Sequence, residues 1–257
     1  MNLDLKGRKA LVCGASQGIG EGIARALAEQ GARVILVARN KSKLESLATR
    51  LDGEGHSYLA NDLEDKIDVA ALVEYIKSEK PGIIINNTGG PKPGEIVEAE
   101  ISQFEKGLSM HLFVSHQLMQ AALPAMKQEG YGRFINVIST SVKMPIPGLG
   151  VSNTVRGAMA SWSKTLSMEV GPFGVTVNNI LPGFIDTDRL GGLIQTLSEK
   201  QEISKEEVTK NMISTIPAGR FGKPSEIGNL AAFLASDAGA YINGVSIPVD
   251  GGKTGAL

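Results

Sequence analysis

Three glycines carry the first chemical signal. Gly14, Gly18 and Gly20, in "CGASQGIG", follow an apolar run and open a stretch of helical periodicity, with Ser16, Gln17 and Ile19 in the same turn. Glycine there lets the backbone approach a phosphate, and the free N–H groups of a helix start favour its negative charge. A strand before and a helix after is the context a dinucleotide pyrophosphate requires. The second apolar run ends "VILVARN". An acidic side chain at that end would accept from the adenosine ribose hydroxyls and select NAD. Ala38 and Arg39 stand there instead. A guanidinium pairs with a 2′-phosphate that a carboxylate would repel. NADP(H) is therefore expected over NAD(H), with Ser16 and Gln17 as further donors to the phosphate. The competing explanations are a glycine turn that serves packing only and a solvated Arg39, with cofactor choice set elsewhere.

The elements that must position these groups alternate between two periods. "KALVCGA", "RVILVAR", "HSYLANDL", "GIIINNTGG", "GRFINVIST", "VTVNNILPG" and "GVSIPVD" read as strands. Between them, "GEGIARALAEQGA" carries an apolar stripe of Ile23, Ala24, Leu27 and Ala28 and ends at Gly31. "SKLESLATRLDG" is helical, with Ser42 as N-cap and Glu45 following at capping-box spacing. "DVAALVEYIKSE" reads as a helix, and "ISQFEKGLSMHLFVSHQLMQAALPAMKQEG" as one long helix kinked or broken at Pro124. "VRGAMASWSKTLSMEVGPFG" and "PSEIGNLAAFLAS" complete the set. Strands alternating with helices imply a single-domain, Rossmann-type, doubly wound parallel sheet with helices on both faces, spanning residues 1–257. One polar, helix-prone insertion at about 188–215 follows a strand's carboxyl end, where open α/β sheets bind ligands, and reads as a substrate lid.

Bulk properties narrow the class. The 257 residues are 42% hydrophobic and 21% charged, with a formal charge of -1. A balanced charge offers no footprint for nucleic acid. One cysteine, Cys13, excludes an internal disulfide, and no start resembling a signal peptide or span-length apolar run is present, so a cytoplasmic protein without membrane segments is expected. His56, His111 and His116 lack metal-ligand spacing, and no metal is expected.

The glycine spacing G-x-x-x-G-x-G resembles that of the short-chain dehydrogenase/reductase family, and the resemblance runs along almost the whole chain. "NDL", with Asp62 and Leu63, looks like the family's adenine-contacting segment. "NNTGG", with Asn87 and Gly89, is similar to the family's turn after the fourth strand. Ser139 in "NVIST" falls at the catalytic serine position. "LPGFIDT" resembles the segment beside the nicotinamide carboxamide, which implicates Pro182, Gly183, Ile185 and Thr187. The closest general likeness is to 3-oxoacyl-acyl-carrier-protein reductases. It implies a small-molecule carbonyl or alcohol substrate, 3-oxoacyl-like, and a homo-oligomer, tetramer or dimer, assembled through two long helices and the C-terminal strand.

At the reacting end the chain departs from the pattern. The family uses a serine, a tyrosine, a lysine one helical turn later, and an asparagine on the preceding long helix. Ser139 is kept, but Ser152 stands at the tyrosine position, Arg156 at the lysine position and His111 at the asparagine position. The flanking "GAMASWSKTLSMEVGPFGVTVN" still matches, so the register is sound, and an atypical branch resembling the acyl-carrier-protein reductases carries the same "SNxxR" and "NNTGGP" pattern. A serine hydroxyl is a poor general acid beside a phenol. Arg156 can hold ribose hydroxyls but stays protonated. His111 titrates, on its ordinary value, where a proton relay would need it, and Lys143 is a second candidate donor whose alternative is a solvated loop lysine. Two functions fit: an NADP-dependent oxidoreductase with a non-standard catalytic set, or a catalytically impaired dinucleotide-binding protein acting as sensor or partner subunit.

Overall fold

The computed structural model describes residues 2–256. Seven strands form one all-parallel sheet in the order β3-β2-β1-β4-β5-β6-β7. They are β1 (Lys9–Cys13), β2 (Arg33–Ala38), β3 (Ser57–Ala60), β4 (Ile83–Asn86), β5 (Gly132–Val137), β6 (Val175–Pro182) and β7 (Ser246–Val249). Crossover helices α1 (Gly18–Glu29), α2 (Lys41–Ala48), α3 (Lys66–Glu79), α4 (Ile101–Leu108), α5 (Val114–Glu129), α6 (Gly150–Val170) and α9 (Pro224–Ala235) cover both faces. Two further helices, α7 (Asp188–Gln201) and α8 (Lys205–Ser214), occupy the predicted insertion.

Strand side chains alternate between two cores because successive residues point to opposite faces. Ala10, Val12, Ile83 and Ile85 join α1 and α9 on one side, while Leu11, Ile84, Phe134 and Val177 meet α3 and α5 on the other. Runs buried on both faces explain why the strands read as continuous apolar stretches rather than alternating ones. The strand order reverses at β1, which lies between β2 and β4. Loops leaving β1 and β4 therefore diverge to opposite faces and open a crevice at the carboxyl edge, the place such sheets hold ligands.

A polar ladder crosses this apolar sheet. Asn86 Nδ2 donates to Asn136 Oδ1 at 2.6 Å, and Asn136 Nδ2 donates to Asn179 Oδ1 at 3.0 Å and Ser163 Oγ at 2.9 Å. Asn179 Nδ2 continues to Ser246 Oγ at 3.1 Å. The ladder ties β4, β5, β6 and β7 together and fastens α6 to them through Ser163, which fixes the helix that carries Ser152 and Arg156.

Four boundaries differ from expectation. Asn40, not Ser42, caps α2: its Oδ1 accepts from Lys43 N at 3.0 Å, and Ser42 sits inside the first turn. The third strand stops at Ala60, leaving Asn61, Asp62 and Leu63 free to line the crevice. Helix α6 begins at Gly150 rather than near Val155, so Ser152 and Arg156 share one helix. The long fourth crossover is not broken at Pro124, which lies inside α5 with Ala121, Ala122 and Met126 buried around it. Packing on both sides outweighs the missing N–H. The interruption comes earlier, as a π turn over Ser109–Phe113.

The ladder should be measurable as stability. Asn136→Ala strands the partners of a fully buried amide, and chemical denaturation should show a loss of about 2–4 kcal/mol. A loss under about 0.5 kcal/mol would mean that the ladder does not hold α6 in place.

Candidate active site

The nucleotide end is built from the turn between β1 and α1. Gly14 adopts φ +62, which favours glycine. A Cβ on Gly20 would run into the Gly14 carbonyl, so the helix packs against the turn at a separation only glycine permits. Gln17 is the N-cap, extended at φ -171, and no side chain caps the helix. The first-turn N–H groups, including those of Gly18 and Ile19, are thus free for an anion. The Ile19 side chain packs on the core, so only its backbone serves this role.

The crevice has a volume of about 860 Å³. Gly14, Ser16, Gln17, Arg39, Asp62, Leu63, Asn87 and Gly89 line it, as expected from the sequence. Gly18 and Thr187 line the adjoining groove with Ser16 and Gln17. Thr187 also caps α7, accepting from Leu190 N at 3.4 Å. Pro182, Gly183 and Ile185 lie at the end of β6 and form no part of the crevice wall; Ile185 is buried and bridges to Gly222.

Two features of this end escaped the sequence. Lys43 lines the crevice beside Arg39 and donates to Gln17 Oε1 at 2.8 Å. Its signal was available as a second basic residue just past the strand end. Asn61 is buried, donates to the Asp68 carbonyl at 2.7 Å, and leaves its Oδ1 without a partner. A buried acceptor left open is costly unless a ligand donor meets it. Glycine cradle, free helix start, paired basic residues and open amide acceptor together fit a phosphorylated dinucleotide.

At the other end the structure gathers His111, Arg156 and the turn after β4. The π turn directs His111 inward, where it is 3% exposed and pairs through Nδ1 with Thr88 Oγ1 at 2.6 Å. Its Nε2 is buried without a partner. Burial first, then the Arg156 charge, lowers its pKa to about 3, with the Gly89 backbone opposing in part. The expectation that His111 titrates in the neutral range is corrected: it is a neutral imidazole there, because a second positive charge cannot be held in a buried site beside a guanidinium. Arg156, 6% exposed, donates from Nη1 to the Val137 carbonyl at 2.9 Å. Burial and then the Arg189 charge lower its pKa to about 10, which leaves it cationic at neutral pH.

The remaining candidates are not hydrogen-bonded to this pair. Ser139 is half-buried and its Oγ accepts from Ser141 N at 3.1 Å, leaving the hydroxyl proton available to donate. Ser152, half-buried on α6, makes no side-chain hydrogen bond among the described residues. Asn153 is structural: its Nδ2 donates to the Ile146 carbonyl at 2.9 Å and pins the loop ahead of the helix. Lys143 is exposed, as its solvated alternative requires. Cys13 is buried with its thiol pushed up to about 12, so it is inert. No tyrosine lines the crevice among the described residues.

A parallel sheet with this crossover order, and a glycine turn at its switch point, defines a dinucleotide-binding α/β protein. A family model described as Enoyl-(Acyl carrier protein) reductase matches residues 14–254. The chain is 32% identical over 252 residues to the NADPH-dependent reductase BacG of Bacillus subtilis (strain 168), covering 96% of this chain and 97% of that one. It is 34% identical over 254 residues to the 3-oxoacyl-[acyl-carrier-protein] reductase FabG of Pseudomonas aeruginosa, covering 97% and 98%. The solved L-sorbose reductase of Gluconobacter frateurii, complexed with NADPH and L-sorbose, superposes with a TM-score of 0.94 at 29% identity over 100% of both chains. The chain belongs to the short-chain dehydrogenase/reductase family.

The neutral state of His111 has a consequence for stability. The unfolded chain takes up this proton near the ordinary value of 6.5, the folded chain only near 3, so acid favours unfolding across that window. Unfolding free energy should fall with pH below about 6.5, His111 contributing up to about 1.4 kcal/mol per pH unit. In denaturation series between about pH 6.5 and 5, His111→Asn should flatten the slope by about that amount. An unchanged slope would mean that His111 is not held neutral.

Proposed function

We propose that this protein is an NADP-dependent oxidoreductase that interconverts a carbonyl and an alcohol on a small molecule. The observation that carries the proposal is one continuous crevice, with Arg39 and Lys43 at one end, the bare start of α1 beside it, and Gly89, Gly90 and His111 at the other. The NADPH-dependent and NADPH-complexed relatives support the same choice of cofactor. The first-turn backbone of α1 would hold the pyrophosphate, Arg39 and Lys43 the 2′-phosphate, and Asp62 with Asn61 the adenine. The bound cofactor supplies the hydride. Ser139 donates its hydroxyl proton in a hydrogen bond to the substrate oxygen, and Arg156 sets a fixed positive charge at the reacting end. Such a charge stabilises an oxygen that gains negative charge. With Ser152 at the tyrosine position, the proton itself comes through hydroxyl and water rather than from a phenol.

Helices α7 and α8 act as the lid. They enclose a small apolar cluster of their own, Leu190, Val208 and Met212 with Phe184, Ile194 and Phe221, separate from the two main cores. A unit with its own core can move without opening the sheet. Exposed Phe113 and Met168, at the start of α5 and on α6, support assembly of like subunits across these helices. No helix among the described residues is long and apolar enough to cross a membrane.

A second reading, a dinucleotide-binding protein without turnover, is favoured by one observation: neither His111, near 3, nor Arg156, near 10, exchanges a proton around neutrality. NADPH consumption over a panel of carbonyl compounds separates the two. Steady oxidation with one substrate class supports the enzyme, and tight binding with none supports the binder. Replacing Arg39 or Lys43 by Ala should weaken NADPH binding about tenfold each while leaving NADH binding within about twofold. Equal losses for both nucleotides would remove the 2′-phosphate from this end.

A further inference from the structure

The reacting end holds more positive charge than the cofactor chemistry uses. Arg189, exposed on the first turn of α7, reaches over the turn after β4. A Cβ placed on Gly90 would lie 2.9 Å from Arg189 Nη2 and 3.3 Å from Arg156 Nη2. Two guanidiniums from α6 and α7 thus converge on one point above Gly90. Neither makes an ion pair among the described residues, although Asp186 and Asp188 flank Arg189 in the chain. Arg156 is 6% exposed, its Nη1 is taken by the Val137 carbonyl, and its Nε has no partner. The wall beside it is neutral His111 bonded to Thr88. Like charges this close, one of them buried, repel unless an anion lies between them. A planar guanidinium pair matches the two oxygens of a carboxylate.

We propose that Arg156 and Arg189 form a carboxylate subsite over Gly90, and that the substrate is an oxo acid with a free carboxylate rather than a thioester. This rests on the oxidoreductase reading and deepens it, since it narrows the 3-oxoacyl-like substrate that the family resemblance implied to a free acid. The subsite lies at the far end of the crevice from Arg39 and Lys43, and the nucleotide phosphates have their own cradle at α1. Arg189 also belongs to the lid, so a carboxylate bridging the two arginines would draw α7 toward α6. Gly90 leaves the space: a methyl group there would stand between the two guanidiniums. Its φ lies outside the left-handed region, so alanine fits its backbone.

The test is calorimetric titration of 2-oxobutyrate, acetoacetate and levulinate, each against its methyl ester, on the free protein and on the NADP⁺ complex. At least one acid should bind at least about tenfold more tightly than its ester. Arg189→Gln should weaken that acid about tenfold and leave ester and NADP⁺ binding within about twofold, with Arg189→Lys intermediate. Gly90→Ala should weaken the acid as Arg189→Gln does, with both charges kept. Equal binding of acids and esters, or no binding of either, overturns the subsite. So does an Arg189→Gln variant that loses NADP⁺ as strongly as acid, since the pair would then serve the cofactor's phosphates. Should wild-type protein fail to bind NADP⁺, the oxidoreductase reading falls, while titration of the free protein still decides the carboxylate subsite.

Discussion

A buried guanidinium with no carboxylate beside it is the constraint around which this site is organised. Taking Arg156 out of water costs several kcal/mol unless its donors find partners. One finds the Val137 carbonyl at the end of β5, at 2.9 Å. That bond exists only because α6 is held at a fixed height on the sheet, and the ladder from Asn86 through Asn136 to Asn179 and Ser163 does the holding. The charge then acts on its neighbours. Burial does most to keep His111 neutral and the Arg156 charge adds to it, and a neutral imidazole can share its Nδ1 with Thr88 without adding to the local positive field. The π turn at Ser109–Phe113 belongs to the same solution, because it turns the imidazole inward toward Thr88.

Relatives at 32–34% identity carry reductase names, and the crevice of this chain is lined by Gly14, Arg39, Asp62 and Asn87. The reacting end follows different logic. A tyrosine with a lysine below it is a titrating pair that delivers a proton. Ser152 with Arg156 puts a hydroxyl and a permanent charge at those two positions, with no phenol between them. Such a pair suits a substrate that brings its own negative charge to the site, and it leaves proton delivery to hydroxyls and water.

Much of this was legible in the sequence. The alternation of strand and helix periods gives the doubly wound sheet, and Gly14, Gly18 and Gly20 mark the tight turn between β1 and α1, because both signals are local and repeat within a few residues. The place of Asp62 and Arg39 on the crevice wall follows from their distance to a strand end. Other features were not legible, for physical reasons. Whether His111 titrates depends on burial and on a charge 45 residues away in sequence. The π turn at Ser109–Phe113 carries no glycine or proline to mark it within the helical stretch. Arg189 sits in an insertion with no motif, and only the fold carries it to Gly90. Pro124 does not break the helix, because packing around α5 overrides a local helix breaker.

A crystal structure of the protein with NADP⁺ tests most directly whether one crevice holds a phosphorylated dinucleotide with its reacting end beside a permanent cation. The 2′-phosphate should lie between Arg39 and Lys43, the pyrophosphate on the first turn of α1, and the nicotinamide on the Arg156 and His111 side. A nucleotide bound with its adenine at the Arg156 end, or a 2′-phosphate in solvent away from Arg39 and Lys43, would contradict it.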